Sequence, residues 1–411
     1  MKRESVETLV IGAGLSGLAA AARLHEEGRD ILVIEASDAA GGRVRTDEVD
    51  GFLLDRGFQV YLDAYPESGR FLDLPALDLH PFEPGALVWK RGKLRRIMDV
   101  FRRPSHLVET ALQPVGSPLD KLRVARMRWR LLRKAPEAIW SAPQRTTIDL
   151  LRGEGFSEGF IDEFFRGFYG GVFLEDLLVT SSRMFEFTFS LFARGSATVP
   201  GRGMKSIPGQ LAARLPAGTI RLKTPARAIE GMRVRTDEGE ITARHLILAT
   251  DGTDAASLIP ERSAPRWNGT TCLQFAAPEP PFPDRLIALR GDRTGLIHHL
   301  CVPSNIVPGY APRGSAIVSV SIIGSGGDAA DLENQVRREL RDWFGAVTAS
   351  WRTLAIQRIA RSLPANSPGS LAALPQQNGI LLCGDHTRSA SIEGAIASGL
   401  AAADAVLASP S

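Results

Sequence analysis

The chain has 411 residues, 44% of them hydrophobic and 23% charged, and a net charge of only +3. That length and apolar content suffice for two or three packed lobes, and the mild charge gives no reason to expect a nucleic-acid partner. Its three cysteines (Cys272, Cys301, Cys383) are scattered and form no C-x-x-C pair. They read as small buried hydrophobes in a reducing, cytoplasmic setting, and no apolar run reaches the ~18–20 residues that cross a bilayer.

The first predicted element is a short buried strand, Thr8 to Ile11. It runs into Gly12-Ala13-Gly14-Leu15-Ser16-Gly17 and an alanine-rich helix that ends near Gly28. A second strand, Asp30 to Ile34, ends in the acid Glu35. Because Lys2 and Arg3 precede the apolar stretch, an export signal is the competing reading. Nothing in a signal peptide, however, requires glycines at the first, third and sixth positions of the turn. A dinucleotide site does. Gly12 permits the tight turn, Gly14 lets backbone approach a diphosphate, and Gly17 lets helix pack closely on strand. The helix start, with Leu15 and Ser16, then offers N–H groups and a positive dipole end. Glu35, 18 residues past Gly17, is placed to accept hydrogen bonds from both ribose hydroxyls and disfavours a 2′-phosphate, which argues against NADP. Up to this point NAD and FAD both remain open.

Gly41-Gly42-Arg43 follows, a second glycine turn with a guanidinium suited to the same diphosphate. Here the chain resembles the superfamily of FAD-dependent amine oxidases, phytoene desaturases and protoporphyrinogen oxidases. The matching residues are Glu35, Ala36, Gly41, Gly42, Arg43 and Thr46. The resemblance implies FAD. It also implies that the segment Asp55 to Val60 runs beside the isoalloxazine ring, bringing Gly57, Phe58 and Gln59 to the flavin.

Residues 91–134 hold thirteen Lys/Arg against three acids. Within them a predicted helix sets Leu122, Ala125, Trp129 and Leu132 on one face and Arg123, Arg126, Arg130 and Arg133 on another. A packed helix with a solvated basic face explains this, and so does peripheral contact with an anionic membrane. The aromatic stretch Phe165 to Ala193 resembles a family segment that borders the substrate cavity. Tyr169, Phe173, Phe185 and Phe189 are candidate walls there, or simply core of a second lobe. Val199 to Leu215 resembles another family segment, with Arg202-Gly203 where Gly-Gly is usual, and the strand Ala226 to Ile229 would lie against the adenine. A hairpin turn is expected at Asp237-Glu238-Gly239 and a closing strand at His245 to Ala249. The adjacent His298 and His299 fall on a predicted strand, so their side chains should point to opposite faces. One of them can face the cavity, although a satisfied structural histidine is the plainer reading. Gly324-x-Gly326-x-x-Ala329 imitates a nucleotide turn, but no strand ending in an acid follows it.

The last predicted elements are a buried strand, Ile380 to Cys383, the Gly384-Asp385 pair and a small-residue helix. The family pattern matches at Gly384, Asp385, Glu393, Gly394, Ala395, Ser398 and Gly399. The resemblance implies that Asp385 binds a ribityl hydroxyl or a phosphate-bound water and that the helix start approaches the flavin pyrimidine. Ser391 stands where amine oxidases place an aromatic of the amine cage, which moves the chain toward the desaturases. No cysteine suits a covalent flavin link, so FAD is expected to be non-covalent.

The expected fold is α/β. A Rossmann-type FAD-binding domain (1–75, 200–255, 355–411) carries a discontinuous α+β substrate domain (76–199, 256–354). The expected function is an FAD-dependent oxidoreductase that takes a hydride from an apolar organic substrate, with Gln59, Tyr169 and His299 as catalytic candidates. Oxygen or a quinone would accept the electrons, and no metal is expected. A flavin isomerase or mutase, an amine oxidase and a non-catalytic flavoprotein are the alternatives.

Overall fold

A computed structural model describes residues 2–324, 329–370, 376–377 and 379–409. The first strand, Lys2–Ile11, lies inside an eight-stranded sheet. It pairs in parallel with Ile31–Ile34 on one side and with Gly239–Leu248 on the other. Ile220–Arg221 extends the sheet beyond Ile31–Ile34, and Ile380–Leu382 joins the end of Gly239–Leu248, both in parallel. Ile31–Ile34 is buried at every position, as a parallel strand covered on both faces must be. The register aligns Ile11, Ile34, Leu248 and Leu382, so four carboxyl ends meet at one edge of the sheet. In such sheets that edge is where a crevice forms.

Ala226–Glu230 and Arg233–Thr236 run antiparallel as a ribbon onto Gly239–Leu248, and Gln376–Gln377, the eighth strand, pairs antiparallel with Ile380–Leu382. The hairpin turn falls where the sequence places it. The closing strand is longer than expected and begins at Gly239. Helices Leu15–Glu26 and Ile392–Leu407 pack against one another, and they approach so closely that a Cβ at Gly399 would collide with the Ser16 carbonyl oxygen.

A second, seven-stranded sheet runs in the order Arg352–Pro364, Trp267–Ala277, Ala316–Ile323, His299–Cys301, Ile287–Arg290, Gly85–Lys90 and Lys93–Met98. All of its pairs are antiparallel except Ile287–Arg290 with Gly85–Lys90. Ala316–Ile323 sits inside it between antiparallel neighbours, unlike the parallel strand that leads into Gly12, and Gly326 lies outside the described residues. Arg352–Pro364 runs through the expected boundary at 355 and stays hydrogen-bonded to Trp267–Ala277, carrying this sheet to residue 364.

The helix Pro118–Leu132 departs from its expected facing. It opens on a capping box between Ser117 and Asp120 and buries Asp120, Met127 and Leu131. Leu122 and Trp129, on the expected apolar face, are 64% and 60% exposed. Of the expected basic face, Arg130 pairs with Glu154 and Glu186 and Arg123 with Asp120, while Arg126 and Arg133 stay exposed. The partners of Arg130 lie outside the helix, and helical periodicity cannot reveal such partners. Among the described residues no helix is long and apolar enough to cross a membrane.

Candidate active site

The aligned carboxyl ends open into one cavity of about 1630 Å³. That exceeds the roughly 300–1,000 Å³ of a pocket for a single drug-sized ligand, leaving room for a dinucleotide and a second molecule. At the sheet edge its wall includes Gly12, Gly14, Leu15, Ser16, Glu35, Ala36, Gly41, Gly42, Arg43 and Ala226. Gly12 has φ +105°, and a Cβ there would stand 2.8 Å from the Ala249 carbonyl oxygen, so only glycine fits the turn. Gly14 is the helix N-cap and offers no side-chain acceptor, leaving the first-turn N–H groups directed at the cavity. The second glycine turn lies directly on the first: Gly41 N–H donates to Ala13 O at 2.8 Å, and a Cβ at Gly42 would come within 3.3 Å of Gly14 Cα. Gly17 lies behind this wall, where its missing side chain lets the helix rest on the Gly12 carbonyl. The Glu35 carboxylate is fixed by Ala13 N–H at 2.7 Å and Ser37 N–H at 2.8 Å. An uncapped helix start, a bare glycine approach and a pre-aimed acid fit a diphosphate and its ribose.

Arg43 and Asp385 close the wall from opposite ends of the chain. Arg43 Nη1 and Nη2 donate to the Asp385 carboxylate at 2.8 and 2.6 Å, and Nη1 also donates to Ser362 O at 2.9 Å. The guanidinium lies 5.3 Å from the Trp267 ring centroid, a contact with no signal in the sequence. Burial works against its charge, but Asp385 outweighs burial and raises the Arg43 pKa. Arg43 thus fixes the direction of the Asp385 carboxylate on the cavity wall, and each oxygen keeps a further lone pair.

The segment after Asp55 is brought to the same wall. Asp55 accepts from Thr46 Oγ1 at 2.5 Å, Met204 N–H at 2.9 Å and Tyr310 Oη at 2.9 Å. This joins three stretches that are far apart in sequence. Phe58 and Gln59 line the cavity, whereas Gly57 sits behind it with its N–H donated to Gln357 Oε1 at 3.0 Å. Gln59 Nε2 donates to Arg43 O and Arg56 O at 3.0 and 2.9 Å, so only its carbonyl oxygen is left for a ligand.

At the last helix Gly384, Asp385, Ser391, Ile392 and Ala395 line the cavity. Glu393 and Gly394, expected at the cofactor, do not. The Glu393 carboxylate turns away and accepts from Glu67 N–H at 2.8 Å, Ser68 N–H at 2.9 Å and Ser68 Oγ at 2.6 Å, capping the short helix Ser68–Phe71. Gly394 packs against the Ser389 carbonyl and donates its N–H to Ser391 Oγ at 3.0 Å. One helical turn spreads side chains through a full circle, so adjacent motif residues cannot all face one ligand.

A second arm of the cavity is aromatic. Phe160, Phe164, Phe168, Tyr169, Phe189 and Phe192 line it. Of the four predicted walls, Tyr169 and Phe189 are present, while Phe173 and Phe185 are buried in the core behind them. A π-helical stretch, Ile161–Arg166, carries Phe164. Burial raises the Tyr169 phenol far above its ordinary pKa, opposed by Thr188, so it stays protonated. His299 lines the cavity 5.3 Å from the Phe58 ring. The expected opposite facing of His298 and His299 does not occur. The strand begins at His299, His298 lies outside its pleat, and their Nδ1 atoms stand 3.2 Å apart. The far end of the cavity reaches Phe101, Leu107, Lys121, Ala125 and Arg128; of these the sequence singles out only Ala125, on the apolar face of the predicted helix and not at a cavity.

A parallel sheet with a double glycine turn, an aimed acid and an adjoining aromatic pocket defines a dinucleotide-dependent oxidoreductase. The chain belongs to the flavin-containing amine oxidoreductase family, whose model matches residues 15–407, and the cofactor that family carries is a flavin. It is 27% identical over 167 residues to protoporphyrinogen oxidase 2 of Arabidopsis thaliana, covering 41% of this chain and 32% of that protein. It is 30% identical over 145 residues to amine oxidase B of Sus scrofa, covering 33% and 26%. These matches therefore span about a third or less of the curated relatives' length. Among solved structures, an oxidoreductase from Methanosarcina mazei superposes with a TM-score of 0.76 at 19% identity over 96% of this chain and 99% of that one. Cyclohexylamine oxidase from Brevibacterium oxydans superposes with a TM-score of 0.74 at 18% identity over 98% of both chains. At these identities the superpositions speak to fold alone.

Proposed function

We propose that this oxidoreductase binds FAD non-covalently along the glycine-lined wall and dehydrogenates an apolar organic substrate held in the aromatic arm. The observation that carries this reading is the single cavity, polar and glycine-rich at the sheet edge and phenylalanine-lined beyond it. When bound, the flavin supplies a two-electron hydride acceptor. The chain contributes the rest: the helix start and Arg43 hold the diphosphate region, Glu35 the ribose, and the phenylalanines exclude water and orient the reacting carbon.

Desaturation of a carbon–carbon bond is favoured over amine oxidation because Ser391, a small polar N-cap, occupies the place of a cage aromatic. Non-covalent binding is supported by the cysteines, all three buried and none on the cavity wall; burial pushes the Cys383 thiol up to about 12. We assign the FAD-binding lobe to residues 1–75, 200–255 and 365–411, and the substrate lobe to 76–199 and 256–364. Oxygen or a quinone would take the electrons away. Substrate would enter from an anionic membrane surface on the cytoplasmic side. Phe101 and Leu107 both line the cavity and stand exposed, beside exposed Val108, Leu112, Leu119, Leu122 and Trp129 and the exposed bases Arg103, Arg126 and Arg133.

Anaerobic mixing of the yellow protein with polyenes, porphyrinogens and amines tests the reading. Bleaching of oxidised flavin by an apolar substrate is the expected result. Turnover that requires pre-reduced flavin would indicate an isomerase, and an unreactive flavin would indicate a binding protein.

A further inference from the structure

The cavity turns from polar to aromatic between two consecutive residues. Phe58 stands toward the aromatic arm, its ring 5.3 Å from that of His299. Gln59 is bonded to the glycine wall, with Nε2 donating to Arg43 O at 3.0 Å. A ring tethered to a diphosphate on that wall would meet the aromatic arm at this junction. One peptide group orients the polar atoms there. The carbonyl of the Arg56–Gly57 peptide accepts from Gln59 Nε2 at 2.9 Å, and its N–H donates to Gln357 Oε1 at 3.0 Å. A carbonyl only accepts and an N–H only donates, so both side-chain amides are held in one orientation. Each keeps one polar end in reserve. Gln59 keeps its carbonyl oxygen, and Gln357 keeps Nε2, which has no partner among the described residues. Both side chains are partly exposed, and both line the cavity.

We propose that Gln357 is a cofactor contact whose Nε2 donates to a carbonyl oxygen of the isoalloxazine ring, with Gln59 and the Arg56–Gly57 peptide as the groups that position it; this rests on the FAD reading above. The polar edge of that ring carries carbonyl acceptors and one imide N–H, so Gln59 Oε1 also has a donor to meet. Reduction places charge on this edge, and a donor already fixed in place stabilises it without reorganisation. The fold holds Gln357 from two sides. It lies inside the strand Arg352–Pro364, opposite Cys272 of the neighbouring strand. Ile359, two residues on and therefore on the same face, packs where Gly57 lacks a side chain. A Cβ there would stand 2.9 Å from Ile359 Cδ1, and Gly57 itself has φ +79°. Gly57 thus lets the loop come within hydrogen-bond range of Gln357. The contact is supplied by the second sheet, which no cofactor motif in the sequence includes.

Dye-equilibrated reduction of the FAD-loaded protein measures the midpoint potential without any substrate. Gln357→Met removes the donor and should weaken the hold on reduced relative to oxidised flavin about tenfold, which lowers the two-electron potential by ~30 mV. Gln357→Glu keeps an oxygen for the Gly57 N–H, so the clamp survives even where the methionine variant folds poorly. Its carboxylate should lower the potential further. Infrared difference spectra with carbonyl-labelled FAD read the contact itself, and the stretch that Gln357 lowers in the wild type should rise in both variants. A carbonyl stretch unchanged in the variants, or a potential that neither of them moves, would overturn the proposal. A protein that takes up no FAD would instead overturn the cofactor reading. Wild-type flavin that no apolar substrate reduces would count against dehydrogenation, and the potentials would still decide the contact.

Discussion

The Arg43–Asp385 pair ties the second glycine turn to the last strand, and its two halves should not be equally costly to remove. Asp385 is 5% accessible at its side chain, whereas Arg43 keeps 36% of its side-chain surface accessible and has a second acceptor in Ser362 O. Arg43→Ala leaves a buried carboxylate without its counter-charge, a loss of ~3–5 kcal/mol for such sites. Asp385→Ala leaves a cation that solvent and the Ser362 carbonyl still serve, and screening brings its cost down to ~1–2 kcal/mol. The double variant should then lose less than the sum, with a coupling of about 1–3 kcal/mol. Urea denaturation of the flavin-free protein at neutral pH, followed by far-ultraviolet dichroism, measures all three at matched slope. Equal losses for the two single variants, or strict additivity in the double, would refute the reasoning.

Two glycines of the first turn separate binding from folding. Gly14→Val meets open space and ordinary φ, so the fold should persist while flavin affinity falls by about 100-fold or more, near 3 kcal/mol; Gly17→Ala drives a methyl into the Gly12 carbonyl and should lower the melting temperature of the flavin-free protein itself. The buried His386 ring has no partner for either nitrogen, and burial first, with Arg262 and Arg43 adding and Asp385 opposing, pushes its pKa down to about 4. Its folded value lies below the unfolded ~6.5, so the unfolded chain binds the proton first and stability is lost as pH falls from ~6.5 to ~4, by about 3 kcal/mol in total; His386→Phe should flatten that part of the stability–pH curve. Leu112→Glu with Trp129→Glu should abolish sedimentation with phosphatidylserine vesicles while leaving flavin content unchanged; undiminished binding would remove the membrane from the proposal.

The meeting of the two glycine turns at the sheet edge was legible in the sequence because it depends on the path of the backbone. Gly12, Gly14, Gly41 and Gly42 meet through main-chain atoms, and main-chain geometry follows from residue type at fixed spacing. Glu35 was legible for the same reason, since a strand end fixes where its carboxylate begins. Where the reading failed, side-chain direction was the missing quantity. Glu393 belongs to the matched pattern yet caps a helix that starts more than three hundred residues earlier in the chain, a partner no local rule supplies.

The aromatic arm and the basic helix show the same limit in a sharper form. Tyr169 and Phe173 are four residues apart on one short helix, so spacing alone predicts a shared face. The helix ends at Phe173, and the chain turns at Leu174 with φ +54°, so Phe173 packs into the core while Tyr169 remains on the cavity wall. In Pro118–Leu132 the apolar pattern Leu122, Trp129 competes with Met127, Leu131, and the second set is the one buried. Glu154 and Glu186 pair with Arg130 from outside the helix, in register with that buried set. This packing leaves Leu122 and Trp129 largely exposed, with only the Arg133 guanidinium, 3.8 Å from the Trp129 ring centroid, set over one of them. A bound apolar phase would recover their burial. The feature that defeated the helical periodicity is therefore the same one that argues for an external surface at the mouth of the cavity.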